Sequence, residues 1–257
     1  ILVDFTRSDA NDVDTDKLLK SFNAIYENVT VLVAVKDDNK KATNLLNVTN
    51  VMIKEEQLVW KLLISSVQTP YMFIARDLQD IDKDSRFERL IRAMTQLDVF
   101  IAGGAIKSED GMWSLNCYQS AFKNYTLVIK TGYHKSYHEC LYCSYFEGPL
   151  MVRTKFMKGF VFSENMKEAM FLDYFFNVSK TKQNIAVCPD AMFHVKQTPL
   201  SRSWLLPFAR KWEIQKIVVD DQIFAFSCFE LVKGCSHKTG IVVSPCCLQD
   251  LADTLKF

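Results

Sequence analysis

Four of the eight cysteines in this 257-residue chain lie in one short stretch near its C-terminal end. They are Cys228, Cys235, Cys246 and Cys247, in the spacing C-x₆-C-x₁₀-C-C. A disulfide between the adjacent pair would be strained, so the stretch could form two disulfides with separate partners. Four thiolates around a glycine-containing loop could equally hold a structural Zn²⁺. The spacing differs from the C-x₂₋₄-C of zinc fingers, and both alternatives stay open on the residues alone.

Acidic residues follow the strand-like segment YMFIA, at Asp77, Asp80, Asp82 and Asp84. Carboxylates after a buried strand can hold Mg²⁺ or Mn²⁺, which can in turn hold a nucleotide diphosphate. Sugar-nucleotide transferases of the GT-A type place a D-x-D motif at such a position, whereas Asp77 and Asp80 form D-x-x-D. The favoured alternative is a polar turn before a helix whose dipole stabilises acidic residues. Asp77 and Asp80 are therefore candidate cofactor-binding residues, although the polar turn is the favoured interpretation.

A second acidic candidate lies on the segment SENMKEAMFLDYFFNV, where apolar residues share one helical face. It carries Glu168 and Asp173. In GT-A enzymes an acidic residue on the helix after the acceptor strands often acts as catalytic base. A carboxylate on an amphipathic helix is more commonly part of its solvated edge, and this is the favoured interpretation.

The segment HKSYHECLYC offers His134, His138, Cys140 and Cys143 as possible zinc ligands. An H-x₃-H pair would need a helix, whereas the surrounding residues are typical of a strand or loop. A disulfide from Cys140 to Cys117 or Cys188 is a strong competitor. We predict the Cys117–Cys140 disulfide, because these two residues lie in neighbouring segments that are expected to be antiparallel.

Four N-x-Ser/Thr sequons begin at Asn28, Asn47, Asn124 and Asn177. Together with eight cysteines, they favour a secretory-pathway protein. Asn28, Asn47 and Asn124 are the predicted glycosylation sites, since Asn177 follows an apolar run. The net charge of +1 gives no overall field that would attract nucleic acid or an acidic membrane.

The first hundred residues alternate between short apolar runs and helical patterns. Buried strands are predicted over 1–5, 29–35, 71–75 and 98–106, a weaker one near 51–53, and amphipathic helices between them. This alternation predicts an α/β fold with a mostly parallel sheet, in the plan of a nucleotide-binding half. No G-x-G-x-x-G or Walker motif is present, and the Gly103-Gly104 pair is interpreted as a tight bend.

From about residue 111 the pattern changes to aromatic-containing segments that predict antiparallel strands. A further strand is predicted at NIAVCPD, and PFARKWEIQKI is predicted to form a helix with Pro207 at its first position. VVDDQIFAF is predicted to form a hairpin-like strand leading into the cysteine stretch.

The C-terminal stretch RKWEIQKIVV…FSCFELVKGCSHKTGIVVSPCCLQDLADTL resembles the fukutin-related, LicD-type transferase family. The matching features are Lys211-Trp212, Cys228 and Cys235 seven apart, and Pro245-Cys246-Cys247-Leu248. A looser resemblance covers the opening strand, ERLIRAM, the 23-residue separation of Cys117 and Cys140, and GPLMVRT. The family's enzyme transfers ribitol 5-phosphate from CDP-ribitol to the O-mannosyl glycan of dystroglycan.

This resemblance implies a luminal Golgi protein with a GT-A-like stem domain over 1–220, a mixed sheet flanked by helices. Residues 221–257 would form a cysteine-rich loop leading into a LicD-type catalytic domain. The chain ends ten residues past Cys247, before the family's aspartate-bearing motifs, so we expect a piece of a longer protein and assign no catalytic residue.

The expected partners are the downstream catalytic domain, an acceptor glycan on a glycoprotein and further copies of the chain. Nucleic acid is not expected, and any membrane anchor would lie outside this segment. The expected role is non-catalytic. The alternatives are an active GT-A glycosyltransferase that uses a nucleotide sugar with Mn²⁺, and a glycan-binding interaction module.

The resemblance also implies that Cys228, Cys235, Cys246 and Cys247 are the ligands of one structural Zn²⁺, and this generates a first prediction. Elemental analysis of the purified protein should give about one zinc per chain, and Cys246→Ser should abolish it, because a structural site needs all four ligands. Absence of zinc, with Cys228 or Cys235 found in a disulfide, would contradict the site.

Overall fold

The computed structural model describes residues 1–4, 15–35, 47–52, 59–163, 166, 169–196, 201–227 and 231. Over these residues the chain forms the predicted α/β structure, with a mixed sheet flanked by helices. The helices are α1 (Thr15–Ile25), α2 (Val59–Ser66), α3 (Phe87–Gln96), α4 (Thr154–Lys158), α5 (Met170–Ser179) and α6 (Arg202–Lys211). The strands are β1 (Leu2–Asp4), β2 (Val31–Val35), β3 (Val48–Met52), β4 (Tyr71–Ile74), β5 (Leu78–Asp80), β6 (Val99–Lys107), β7 (Trp113–Ser114), β8 (Tyr118–Lys123), β9 (Thr126–Thr131), β10 (Lys135–Tyr137), β11 (Cys140–Cys143), β12 (Leu150–Arg153), β13 (Asn184–Val195), β14 (Lys216–Val219) and β15 (Gln222–Ala225).

The larger sheet has eleven strands, and its path runs β10-β11-β13-β6-β12-β4-β1-β2-β3. The first four strands of the chain run parallel to one another at one end of this path. β12 is antiparallel to both of its neighbours, β4 and β6, whereas β13 is parallel to β6. β5 pairs with the C-terminal end of β13, and β7 with that of β6.

The strand order reverses direction at β1. β2 lies on one side of β1 and β4 on the other, so the chain first builds outward and then returns across β1. In open α/β sheets, ligands bind outside the carboxyl ends of the strands at such a switch point. The carboxyl ends of β1 and β4 are therefore where the topology predicts a functional crevice.

Helices cover both faces of this sheet. Neighbouring strand residues alternate between two buried clusters, with Phe73 in one and Ile74 in the other, because successive side chains point to opposite faces. Leu63 of α2 and Phe175 of α5 belong to the cluster of Ile74, whereas Leu90 of α3 belongs to that of Phe73. The apolar strand runs in the sequence follow from this two-sided burial.

A smaller four-stranded sheet has the order β15-β14-β9-β8. The predicted hairpin is present as the antiparallel pair β14–β15, and β14 lies parallel to β9. One face of this sheet is buried, since Ile129 and Ile217 belong to the same apolar cluster as residues of α5 and α6. The predicted division after residue 220 falls in the β14–β15 turn and stays a prediction.

Gly103 and Gly104 lie within β6, and the tight bend predicted for them is wrong. A Cβ atom on Gly103 would lie 2.5 Å from the ring of Phe146, and one on Gly104 would overlap the carbonyl oxygen of Ala191. Ala191 belongs to an irregularity in β13, where the register with β6 shifts between Cys188 and Met192. Glycine is required at both positions because other parts of the chain approach the backbone of β6 closely.

The disulfide predicted between Cys117 and Cys140 is also wrong. Cys117 is bonded to Cys143, and Cys140 to Cys188, with Cα–Cα distances of 5.5 Å and 4.2 Å. The reason is strand alternation: Cys140 and Cys143 are three residues apart on β11 and face opposite sides of the sheet. Cys143 therefore meets Cys117 in one buried cluster, and Cys140 meets Cys188 in the other.

Pro207 lies inside α6, and its predicted place at the first helical position is wrong. The helix begins five residues earlier, at Arg202. Leu205 and Phe208 are both fully buried, so one apolar face spans the residues before and after the proline. This packing outweighs the lost backbone hydrogen bond at Pro207.

The crowding around Gly104 generates a second prediction. Gly104→Ala should lower the free energy of unfolding by about 3 kcal/mol or more, because the new methyl group meets backbone rather than a movable side chain. Gly159→Ala is the matched control, since its Cβ would lie 3.4 Å from the carbonyl oxygen of Phe156 and 3.7 Å from that of Lys155, and φ is −75°. Urea unfolding should show the control within about 0.5 kcal/mol of wild type. Equal stability of both variants would contradict the packing at β6.

Candidate functional site

Charged residues gather at the carboxyl ends of β1 and β4. β1 ends at Asp4, and Ala75, Arg76 and Asp77 follow β4. β12 enters the sheet at the same edge, since it runs antiparallel to β4 and pairs Leu150 with Ile74. The residue three before Leu150, Glu147, is thereby brought to the edge that carries Arg76.

Arg76 is the central charge of this edge. Its Nε lies 3.0 Å from Oδ2 of Asp77, and its Cζ lies 5.1 Å from the centre of the Phe171 ring on α5. Asp77 adopts a left-handed backbone conformation with φ of 55°, which aspartate tolerates better than most residues. The carbonyl oxygen of Asp77 accepts a hydrogen bond of 2.9 Å from the backbone N–H of Lys196, which anchors this turn beside β13. Only 14% of the Arg76 side chain is exposed.

Tyr145 and Glu147 complete the surroundings of Arg76. The Tyr145 hydroxyl lies 3.5 Å from Oε1 of Glu147 and bonds to the guanidinium of Arg76. Burial would lower the pKa of Arg76, but Asp77, Tyr145 and Glu147 together raise it, so the guanidinium stays charged. Burial raises the pKa of Glu147, and Asp77 adds to the increase while Arg76 opposes it. Burial also raises the pKa of Tyr145, which keeps the phenol protonated.

The next two carboxylates along the chain have other partners. Asp80 forms an ion pair of 2.9 Å with Lys17 on α1, and Oδ2 of Asp82 lies 2.9 Å from Nε2 of His194 on β13. Burial would raise the pKa of each carboxyl. The hydrogen bond with Lys17 is the main cause that lowers the pKa of Asp80, and the hydrogen bond with His194 is the main cause that lowers the pKa of Asp82. Asp82 also accepts a hydrogen bond of 2.8 Å from the backbone N–H of Asp84, which shapes a polar turn before α3.

These residues do not fit a divalent cation. Asp77 and Asp80, the predicted cofactor-binding pair, are held by different basic side chains, Arg76 and Lys17. In the part of the chain that the structure describes, no group of three or more His, Cys, Asp or Glu side chains could hold a metal ion. The favoured interpretation of this segment as a polar turn matches its geometry.

Asp173, the second acidic candidate, is buried between α5 and α6. Its Oδ2 lies 2.7 Å from Nζ of Lys211, and its Oδ1 accepts a hydrogen bond of 2.7 Å from Nε1 of Trp212. Nζ of Lys180 lies 3.4 Å from the centre of the Trp212 ring. Asp173 therefore joins α5 to α6 and is fully buried. The expectation that it lies on the solvated edge of its helix is wrong. Glu168 lies outside the described residues.

The alternative zinc site at His134, His138, Cys140 and Cys143 is excluded, because both cysteines are in disulfides. His134 Nε2 lies 2.8 Å from the hydroxyl of Ser144. The other predicted metal ligands, Cys228, Cys235, Cys246 and Cys247, lie outside the described residues, so the zinc loop stays a prediction.

The three predicted glycosylation sites, Asn28, Asn47 and Asn124, are exposed. Asn47 donates a hydrogen bond of 2.9 Å from Nδ2 to the carbonyl oxygen of Glu27. Asn177 is half-buried, and its Nδ2 bonds to the carbonyl oxygen of Asp173 within α5. The lower expectation for Asn177 thus agrees with its position, although glycan attachment itself stays a prediction.

Sequence reasoning missed Arg76, Tyr145 and Glu147. The available signal was an arginine directly after a buried apolar strand, where a charged side chain needs a partner. Tyr145 and Glu147 come from a segment about seventy residues later, and no local pattern connects them to β4.

Comparison with solved structures shows a glycosyltransferase-like fold. The chain is similar to a structure described as GalNAc-T7 with UDP, GalNAc and Mn²⁺, with a TM-score of 0.56 and 9% identity over 82% of this chain. It spans 47% of that protein's length, about half. A 4-diphosphocytidyl-2C-methyl-D-erythritol synthase from Anaerococcus prevotii matches 82% of this chain and 96% of its own, with a TM-score of 0.43 and 10% identity. No family model and no curated protein matches the sequence.

The predicted GT-A-like fold class is thereby confirmed. The two disulfides fit the oxidising environment of the secretory pathway. Among the described helices, none is long and apolar enough to cross a membrane.

The buried contacts of Asp173 generate a third prediction. Asp173→Ala should lower the free energy of unfolding by about 3 kcal/mol, because it leaves the Lys211 ammonium and the Trp212 indole N–H without their acceptor. Asp80→Ala is the matched control: its partner Lys17 is 65% exposed, and such pairs contribute less than about 1 kcal/mol. The free energies of unfolding of both variants are measured by urea denaturation. An equal loss of stability in the two variants would show that Asp173 contributes no more than a surface ion pair.

Proposed function

We propose that this chain is the non-catalytic, GT-A-like stem domain of a fukutin-related ribitol 5-phosphate transferase that acts in protein O-mannosyl glycan synthesis. The observation that carries the proposal is the ion pair between Arg76 and Asp77 at the switch point, where Nε and Oδ2 are 3.0 Å apart. A transferase that relied on a metal-bound nucleotide sugar would need carboxylates available at this edge. Here each carboxylate of the candidate pair is held by a basic side chain of the chain itself.

The resemblance in the cysteine stretch supplies the biological context of the proposal. The stem domain would contact a downstream LicD-type catalytic domain, hold an acceptor glycan and assemble with further copies of the chain, in the Golgi lumen. The cysteine loop, folded on Zn²⁺, would form the connection to the catalytic domain. Asp173 supports this arrangement, because it fixes Lys211 and Trp212, two of the residues in the resemblance, against α5.

One observation favours a second candidate, an active GT-A glycosyltransferase. The similar structure of GalNAc-T7 is described with UDP, GalNAc and Mn²⁺, and its likeness covers 82% of this chain. If residues outside the described ranges completed a metal site, nucleotide-sugar binding would follow. The two candidates therefore differ in one measurable property, the metal-dependent affinity for a nucleotide sugar.

Calorimetry provides the fourth prediction. Titration of the purified chain with UDP-sugars, GDP-sugars and CDP-ribitol, with and without Mn²⁺, should give no binding in the micromolar range, because Asp77 and Asp80 already have basic partners. Asp77→Ala and Asp80→Ala are the variants to compare. Micromolar binding by the wild type that both variants abolish would establish the active glycosyltransferase and remove the stem-domain proposal.

A further inference from the structure

Arg76 lies where the topology places a ligand. Its Cα follows β4 by two residues, at the carboxyl edge beside β1, where the direction of strand order reverses. The side chain is nevertheless turned into the protein: it lies over Phe171, which belongs to α5, and it bonds to Tyr145 before β12. A cation is therefore part of the fold at this edge.

The charged groups at this position are one cation, Arg76, and two acidic residues, Asp77 and Glu147. Asp77 is in direct contact with the guanidinium, at 3.0 Å. Glu147 reaches it through Tyr145, whose hydroxyl bonds to Arg76 and lies 3.5 Å from Oε1 of Glu147. A guanidinium is always charged, and its fixed fork of N–H donors matches carboxylate oxygens. Two acidic groups held near one buried cation resemble the ligand arrangement of a divalent ion, with arginine in its place.

We propose that the guanidinium of Arg76 is a built-in cation that takes the place of a divalent metal ion between Asp77 and Glu147. Because the cation is covalently part of the chain, a metal could enter only by displacing it and leaving a charged arginine buried without its partners. The crevice therefore keeps its charge balance without recruiting metal from solution.

The neighbouring carboxylates follow the same pattern. Asp80 is paired with Lys17 and Asp82 with His194, each at 2.9 Å. Three successive carboxylates after β4 thus each have a basic side chain of the protein as partner. Those partners come from α1, β13 and the turn itself.

This inference deepens the proposed function and relies on it in one respect: the switch-point crevice is the place where an active enzyme of this fold would need its metal. The two proposals can still fail separately. Metal-independent binding of a nucleotide sugar would remove the stem-domain proposal and leave the role of Arg76 intact. Mn²⁺ binding that depends on Asp77 in the wild type would overturn the role of Arg76.

The fifth prediction concerns Mn²⁺ binding, measured by loss of the electron paramagnetic resonance signal of the free ion in buffer without other divalent cations. Arg76→Gln should bind Mn²⁺ at least about tenfold more tightly than wild type, because the ion would then supply the positive charge that Asp77 and Glu147 lose with the guanidinium. Arg76→Gln combined with Asp77→Asn should lose that gain. Arg76→Lys should show none, since it keeps a positive charge at the position.

Arg89→Gln is the matched control. Arg89 also pairs with a carboxylate, at 2.8 Å from Asp190, but on α3 and away from the switch point. No gain in Arg76→Gln, or an equal gain in Arg89→Gln, would overturn the proposal. If circular dichroism shows that Arg76→Gln does not fold, the wild type and Asp77→Asn still test the proposal, because weaker Mn²⁺ binding by Asp77→Asn refutes the built-in cation.

Discussion

The structure depends on covering both faces of one large mixed sheet. Its central strands are apolar on both sides, so each face must lie against helices, and the two buried clusters are the result. α1 and α3 contribute to one buried cluster, whereas α2, α4, α5 and α6 contribute to the other. With both faces covered, the edge at the carboxyl ends of the strands is where polar groups can gather. This is the reason why Arg76 and Asp77 can lie there, with Asp80 and Asp82 in the turn that follows.

Partial burial then decides what those charges can do. A carboxylate that loses water needs a hydrogen-bonded or ionic partner, and the fold provides basic ones from different elements. Arg76 comes from the same turn as Asp77, Lys17 from α1, and His194 from the far end of β13. The edge that in other proteins of this architecture would be open to a ligand is thereby filled with internal ion pairs. A fold of this class does not by itself determine activity, which depends on the particular residues at this edge.

The second half of the chain is held to the sheet by covalent and close packing contacts. The disulfide Cys117–Cys143 joins β11 to the residue before β8, and Cys140–Cys188 joins β11 to its neighbouring strand β13. Near Cys188 the register of β13 shifts, and the backbone approaches Gly104 too closely for any side chain there. Asp173 adds a buried ionic contact that links α5 to α6. These contacts connect the small sheet and its hairpin to the α/β part, so that Lys211 and Trp212 have a fixed position.

Local patterning was sufficient for the existence and type of most elements, because apolar periods of two and of 3.6 residues reflect which side of a strand or helix is buried. It predicted β1, β2, β4, β6, the helices between them, the β14–β15 hairpin and the α/β class, whereas the GT-A-like class came from the family resemblance. It was not sufficient for contacts between segments distant in the chain. The pairing of Cys117 with Cys143 follows from which face of β11 each cysteine occupies, and the role of Gly104 follows from the path of β13. The Arg76 cluster likewise exists only because β12 runs antiparallel to β4 and brings Tyr145 and Glu147 to its end. Tertiary structure decided these features, since each depends on the order and direction of strands, which no local period contains.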